Sequence, residues 1–104
     1  TQEVLYVHDY ATGRVERYGA VAAFYGRTAD ALPSTTEGWL GCVAPDDRAR
    51  VAASWARALA RRAGAWRCEY RMQHPDGAIV VVEDRARIVT DAAGAPLHVA
   101  GALR

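Results

Sequence analysis

Cysteine is scarce in this chain. Cys42 and Cys68 are the only two, too few for the disulfide framework of a small secreted domain, so a reducing cytoplasm is the expected setting. Long apolar runs are missing as well. None approaches the roughly 18 residues that a membrane-spanning helix needs, and no signal peptide is visible. Nor is there an excess of charge of one sign. Thirteen basic residues against twelve acidic ones leave a net charge of +1, without the basic surplus of an electrostatically driven nucleic-acid binder. There is no internal repeat and no low-complexity stretch. The chain opens at Thr1 without a methionine, so it is expected to be a piece cut from a longer protein. What is present is enough for one domain. A hydrophobic fraction of 51% predicts a folded globule rather than a disordered tail. Much of that fraction is alanine, so the core is expected to be modest.

Residues 4 to 18 read as a hairpin, with "VLYVHDY" and "RVERY" joined by the turn "ATG", in which Gly13 can supply a positive φ. Residues 19 to 45 are irregular, with helix-like fragments at "AVAAFYG" and "TADAL". Residues 46 to 63, "DDRARVAASWARALARRA", form the clearest helix. Asp46 or Asp47 is expected to cap its N-terminus, where a carboxylate also suits the helix dipole, and Gly64 is expected at C′. Val51, Trp55 and Leu59 fall on one stripe at i, i+4 and i+8. Arg50, Arg57 and Arg61 are expected on the opposite, solvated face.

Three strands follow. "WRCEYRMQH" alternates, so Trp66, Cys68, Tyr70 and Met72 share a core-facing side while Arg67, Glu69 and Arg71 point outward. "PDG" closes a turn with Pro75 and Gly77 well placed. "AIVVVEDRARIVT" begins apolar on both faces and then becomes charged, and its length predicts a bulge or bend near Glu83 and Asp84. "DAAG" turns the chain into "PLHVAGAL", the last strand. Connections this short require antiparallel neighbours. Two strands, a helical middle and three strands give an α+β fold with helices on one side of a sheet.

The motifs, in this order, resemble those of PAS domains. "VAPDDRARVAASW" is similar to the family's helix-opening His-Pro-Asp-Asp-Arg segment. "EYRMQHPDGAIVVVEDRARIVTDAAGAPLHVAGALR" is similar to its C-terminal half, the PAC motif: a Glu-Tyr-Arg strand, an Asp-Gly turn, a long strand, an Asp-x-x-Gly turn and a final strand. "HDYATGRVERYGAVAAFYG" resembles the first hairpin and the Phe-Tyr-Gly segment after it. The subgroup resembled most is PAS fold 3, found in bacterial sensor kinases and cyclic-dinucleotide enzymes. The resemblance implies a five-stranded antiparallel sheet with helices covering one face. It also implies a pocket between the two that is either filled by side chains or holds a small ligand, and an outer sheet face that meets a second subunit or a flanking helix. The chain departs from the pattern at Ala44, where the family often has His, and at Val81, where the subgroup usually has Trp. It stops at Arg104, where the family's closing Asp-Ile-Thr would begin.

The candidate pocket residues are Tyr25, Trp39, Trp55, Cys68, Tyr70, Met72, Val81 and His98, a mostly apolar and aromatic lining suited to a small organic molecule. Met72 can adapt to a ligand's shape. The candidate dimer surface is Arg67, Glu69 and Arg71, a self-complementary charge pattern. His8 and Asp9 are neighbours on a strand and point to opposite faces, so they form no dyad. Cys42, Cys68, His8, His74 and His98 lack the short spacings of a zinc site. Cys42 lies where light-sensing PAS relatives carry a flavin-reactive cysteine, but their Asn-Cys-Arg-Phe-Leu-Gln motif is absent from "GWLGCVAPDD". Haem needs an axial ligand; the central helix has no histidine, leaving His98. Neither haem nor flavin is therefore expected, and no metal.

Two classes of function follow. The first is a sensory and dimerisation module, not itself an enzyme. It would be a single domain over residues 1–104 of a bacterial, cytoplasmic histidine kinase or diguanylate cyclase, forming a homodimer and relaying a ligand signal to an output domain in the same chain. It would make no contact with nucleic acid or membrane. The alternative is a small stand-alone α+β enzyme with an acid-base residue in an apolar pocket, for which Asp9 and His98 are the candidates. An output domain following Arg104 in the full gene would decide for the first.

Overall fold

The computed structural model describes residues 2–104. The chain forms β1 (Val4–Asp9), β2 (Arg14–Gly19), α1 (Val21–Tyr25), a short 3-10 turn (Ala29–Ala31), α2 (Thr36–Leu40), α3 (Pro45–Ala60), β3 (Ala65–Gln73), β4 (Ile79–Thr90) and β5 (Pro96–Leu103). All pairings are antiparallel, in the order β2-β1-β5-β4-β3. This is the expected α+β architecture. The two C-terminal turns use the same chemistry. Gly77 N–H donates to the His74 carbonyl and Gly94 N–H to the Asp91 carbonyl. Both glycines sit at φ near +90°, where a Cβ would be strained. Asp76 and Asp91 accept backbone N–H bonds inside their own turns, as short acidic side chains do. The anticipated bulge near Glu83 is absent. The β3–β4 register runs unbroken, and the irregularity falls between Val89 and Thr90, beside the β4–β5 turn. Among the described residues no helix is long and apolar enough to cross a membrane.

Strand alternation sorts the sheet into two faces. Val4 and Tyr6 of β1, Trp66, Cys68, Tyr70 and Met72 of β3, Val82, Asp84, Ala86 and Ile88 of β4, and Val99 and Leu103 of β5 face the helices. Val51, Trp55 and Ala58 of α3 close over this face together with Phe24, Tyr25, Cys42 and Val43. Leu5, Val7, Ile79, Val81 and Val89 are exposed on the other side.

Helix α3 starts one residue earlier than expected. Pro45 occupies its first turn and Ala44 its N-cap position, without a side-chain cap; proline suits that site because its missing N–H would have no helical partner. Asp47 is thereby freed for a different task. Its carboxylate accepts the Arg71 backbone N–H at 2.9 Å and both the Nε and Nη2 of the Arg71 guanidinium. These bonds hold the Asp47 carboxyl down at about 2. Residues 42 to 44 continue the cover, since Gln73 N–H donates to the Cys42 carbonyl and Ala44 N–H to the Arg71 carbonyl. The β3 edge is thus covered at its Arg71–Gln73 end, where an open edge would invite another strand. Arg71, expected on the dimer surface, instead turns around this edge to Asp47. Arg50, expected on the solvated side of the helix, donates to the Glu69 carbonyl and approaches the Cys68 sulfur. At the C-terminus Arg62, not Gly64, takes the left-handed conformation at φ 54°. Ala63 N–H reaches the Ala58 carbonyl and Arg62 N–H the Leu59 carbonyl, the bonding of a Schellman motif.

Trp55 is buried and stacks edge-on against Trp39 and Trp66, whereas Arg57 is exposed. Trp55→Ala is expected to cost about 3–5 kcal/mol and Arg57→Ala less than about 0.5 kcal/mol, read by urea unfolding. Equal losses would contradict this placement of the helix.

Candidate functional site

Between the inner sheet face and the segment around α2 lies a cavity of about 70 Å³. Its aromatic side is built by Tyr6, Tyr25, Trp39, Trp55 and Trp66. Its polar side is built by His8, Arg17, Asp84, Ser34, Thr35 and Thr36. The 33–36 segment is positioned by α2, whose N-cap Thr35 accepts the Gly38 N–H at 3.0 Å. Trp39 is the hub of the aromatic wall, with Trp55, Trp66 and Tyr70 each edge-on to it at about 6 Å between ring centroids, a favoured geometry for aromatic pairs.

Asp84 is the buried charge of this region, with 2% of its surface exposed. The Tyr6 hydroxyl donates to its Oδ1 at 2.6 Å and the Tyr70 hydroxyl to its Oδ2 at 2.8 Å. Tyr70 in turn accepts the Trp39 Nε1–H at 3.1 Å. The chain of bonds therefore links β1, β3, β4 and α2. Tyr6 reaches across β5 only because its partner there is Gly101. A Cβ at that position would lie 2.4 Å from the Tyr6 ring and hydroxyl. Burial drives the Asp84 carboxyl up to about 6, although both phenol hydrogen bonds oppose the rise. Desolvation and the nearby Asp84 charge raise both phenols, Tyr6 and Tyr70, far above the ordinary tyrosine range, so they remain donors.

Arg17 is the opposite charge. From β2 it places its guanidinium 5.4 Å from the centre of the Tyr25 ring, within cation–π range. One terminal nitrogen donates to the Pro33 carbonyl at 3.0 Å. Its Nε is buried with no partner, and the residue makes no ion pair among the described residues. His8 stacks on Tyr10 at 3.9 Å; burial first, and then the Arg17 charge, lower its pKa.

Of the eight pocket candidates, Tyr25, Trp39 and Trp55 line the cavity. Tyr70, Cys68 and Met72 are buried on the inner face but lie behind the lining. Two expectations need correction. Val81 is 61% exposed on the outer face, because Val82 and Asp84 take the inward phase of β4. His98 is exposed while its neighbour Val99 points in. The inward histidine is His8. Asp9, the other acid-base candidate, accepts the Ala11 N–H in the first turn. Asp84 and Arg17 went unrecognised in the sequence. For Asp84 a signal exists: it shares parity with Ala86 and Ile88, against Glu83, Arg85 and Arg87. Arg17 has no comparable signal, since its strand alternates weakly.

The position of Asp84 generates a pH dependence. Its folded-state pKa of about 6 lies above the unfolded value of about 4. Between these values the folded chain binds more protons than the unfolded one, so stability from this group is complete below about pH 4 and is lost as pH rises through about 6. The difference corresponds to about 3 kcal/mol. Asp84→Asn removes the titration, so the variant's stability relative to wild type should rise by up to that amount from pH 4 to 7. Urea melts across this range that give a constant difference would contradict the assignment.

The sequence profile of the PAS fold family matches residues 14–103. Among solved structures, the chain is similar to a sensory box histidine kinase/response regulator from Burkholderia thailandensis, at 26% identity and a TM-score of 0.75, covering 98% of this chain and 75% of that one. It is also similar in fold to the N-terminal domain of a diguanylate cyclase with PAS/PAC sensor from Marinobacter aquaeolei, at 21% identity and a TM-score of 0.78, covering 98% and 93%. The PAS domain of a protein from Colwellia psychrerythraea aligns at 19% identity and a TM-score of 0.71, covering 98% and 84%. No curated protein sequence matches the chain. The five-stranded sheet, its helical cover and the matched profile agree, and the chain belongs to the PAS fold family of sensor domains.

Proposed function

We propose that the chain is a single sensor domain over residues 1–104 of a longer bacterial signalling protein in the cytoplasm. In this reading the cavity takes a small ligand, and the domain relays its occupancy to an output domain such as a histidine kinase or diguanylate cyclase. The observation that carries the reading is the pair of charged groups, Arg17 and Asp84, in the lining of one cavity. Burying charge costs free energy, and hydrophobic packing alone would be served better by apolar residues. The similarity to a sensory box histidine kinase supports the kind of output.

Haem and flavin do not fit this cavity. About 70 Å³ is far below the roughly 300 Å³ or more of ordinary cofactor sites. His98 faces away from it, and the Cys42 sulfur lies against the Gly38 carbonyl and Arg27. Asp9 and His98, the acid-base candidates of the enzyme alternative, are not among the residues that line the cavity.

A homodimer through the outer sheet face completes the proposal. Leu5, Val7, Ile79, Val81 and Val89 expose apolar surface there. Arg67 pairs with Glu83 at 2.7 Å, and Glu69 lies opposite Glu83 in register, so this charged corner would form the rim rather than the centre of the contact. Two measurements test the reading. A thermal-shift screen of metabolites should find a ligand that raises the melting temperature; a folded chain that responds to none counts against ligand sensing. Sedimentation should show a dimer that Val81→Asp dissociates while folding stability changes by no more than about 1 kcal/mol. A wild-type chain that stays monomeric at high concentration removes the dimer.

A further inference from the structure

The cavity holds an arginine that packing leaves incomplete. Arg17 is fixed in place, with its guanidinium over Tyr25 and one nitrogen on the Pro33 carbonyl. Its Nε is buried and has no acceptor. A buried donor without an acceptor is unfavourable, and the cavity that Arg17 lines leaves room for an acceptor from outside the chain. Asp84 does not supply it: its carboxylate is held by the Tyr6 and Tyr70 hydroxyls and makes no ion pair with Arg17. Around Arg17 the lining offers further donors in Thr35, Thr36 and Ser34, with His8 and Tyr10 beside them. Beyond these groups the wall is apolar, built by Val15, Pro33, Trp39 and Val99.

We propose that the ligand of this cavity is a small organic monocarboxylate whose carboxylate pairs with Arg17 and whose short apolar tail points to the Trp39 wall. The inference rests on the ligand-sensing reading above and names its ligand class. A guanidinium matches a carboxylate through parallel N–H···O bonds and is the side chain suited to it. The size follows from the volume. A cavity of 150 Å³ accepts benzene, and this one has about 70 Å³, room for an acid of acetate or propionate size. A doubly charged oxyanion such as phosphate is disfavoured by the apolar wall and by the Asp84 carboxylate in the same lining.

The 104-residue chain is titrated with acetate, propionate and butyrate, and in parallel with the corresponding amides and with inorganic phosphate, at constant pH and ionic strength. Melting temperature and the NMR resonances of the Arg17 Nε–H and Trp39 indole N–H are followed. Acetate and propionate should raise the melting temperature saturably and shift the Arg17 Nε–H resonance, and butyrate, too long for the volume, should bind more weakly. The amides and phosphate should do neither. Arg17→Gln should weaken acid binding about ten-fold or more. The wild-type Arg17 resonance decides the matter if that variant does not fold. Amides that bind as well as the acids, phosphate that binds more tightly, or acid binding that leaves the Arg17 resonance unmoved overturns the carboxylate assignment while ligand sensing stands. A folded wild-type chain that binds none of these acids overturns the assignment as well. Ligand sensing itself then falls only if the wider metabolite screen is also empty.

Discussion

A single buried carboxylate holds the inner face of this domain together. Asp84 sits on the long strand β4 and is reached from one side by Tyr6 of β1 and from the other by Tyr70 of β3. β1 is two places away in the sheet, with β5 between, so the bond from Tyr6 spans a strand. That span depends on Gly101, where any side chain would fill the space the phenol crosses. Through Tyr70 the same network fixes Trp39 and therefore α2 and the wall of aromatic rings. The arrangement is electrostatically costly, and the cost is met by satisfying both oxygens with donors. Such a network is worth retaining only if every member is paired, and here the acid and both phenols are.

The rest of the fold isolates that face from water. Helix α3 presents Val51, Trp55 and Ala58 to it. The start of the same helix secures the sheet edge, since Asp47 binds the Arg71 amide and guanidinium while residues 42 to 44 pair with β3. A helix normally uses a first-turn carboxylate for its own N–H groups. Proline at the first helical position allows Asp47 to serve the strand. The outer face is left with exposed apolar side chains on β1 and β4.

The cavity is where the two sides of the domain disagree in charge. Arg17 comes from the edge strand β2 and Asp84 from the interior strand β4, and both line the cavity with Tyr25 and the tryptophans. His8 lines the same cavity, and burial first, then the Arg17 guanidinium, disfavours its protonation. Through His8 and Arg17 the cavity lies against β1 and β2, the hairpin at one end of the sheet.

Local pattern carried much of this structure. The alternation from Trp66 to Met72 is clean because one face of β3 is buried, and the Asp-Gly and Asp-x-x-Gly turns announce themselves through residues that only such turns favour. The α3 stripe is equally plain. The ambiguous places are those where both faces of a strand look alike. Residues 79 to 82 are apolar throughout, so Val81 could be placed on either side, and only Ala86 and Ile88 reveal the phase. β5 is built of small residues, which left His98 free to be assigned inward. Tertiary structure alone decided the partners of Asp84, the orphaned Nε of Arg17 and the diversion of Asp47 to the strand edge. Each depends on segments far apart in the chain, such as Tyr6 and Asp84. Periodicity reports how a residue relates to its immediate neighbours, and a site assembled across a sheet is a relation between residues that meet only when the chain has folded.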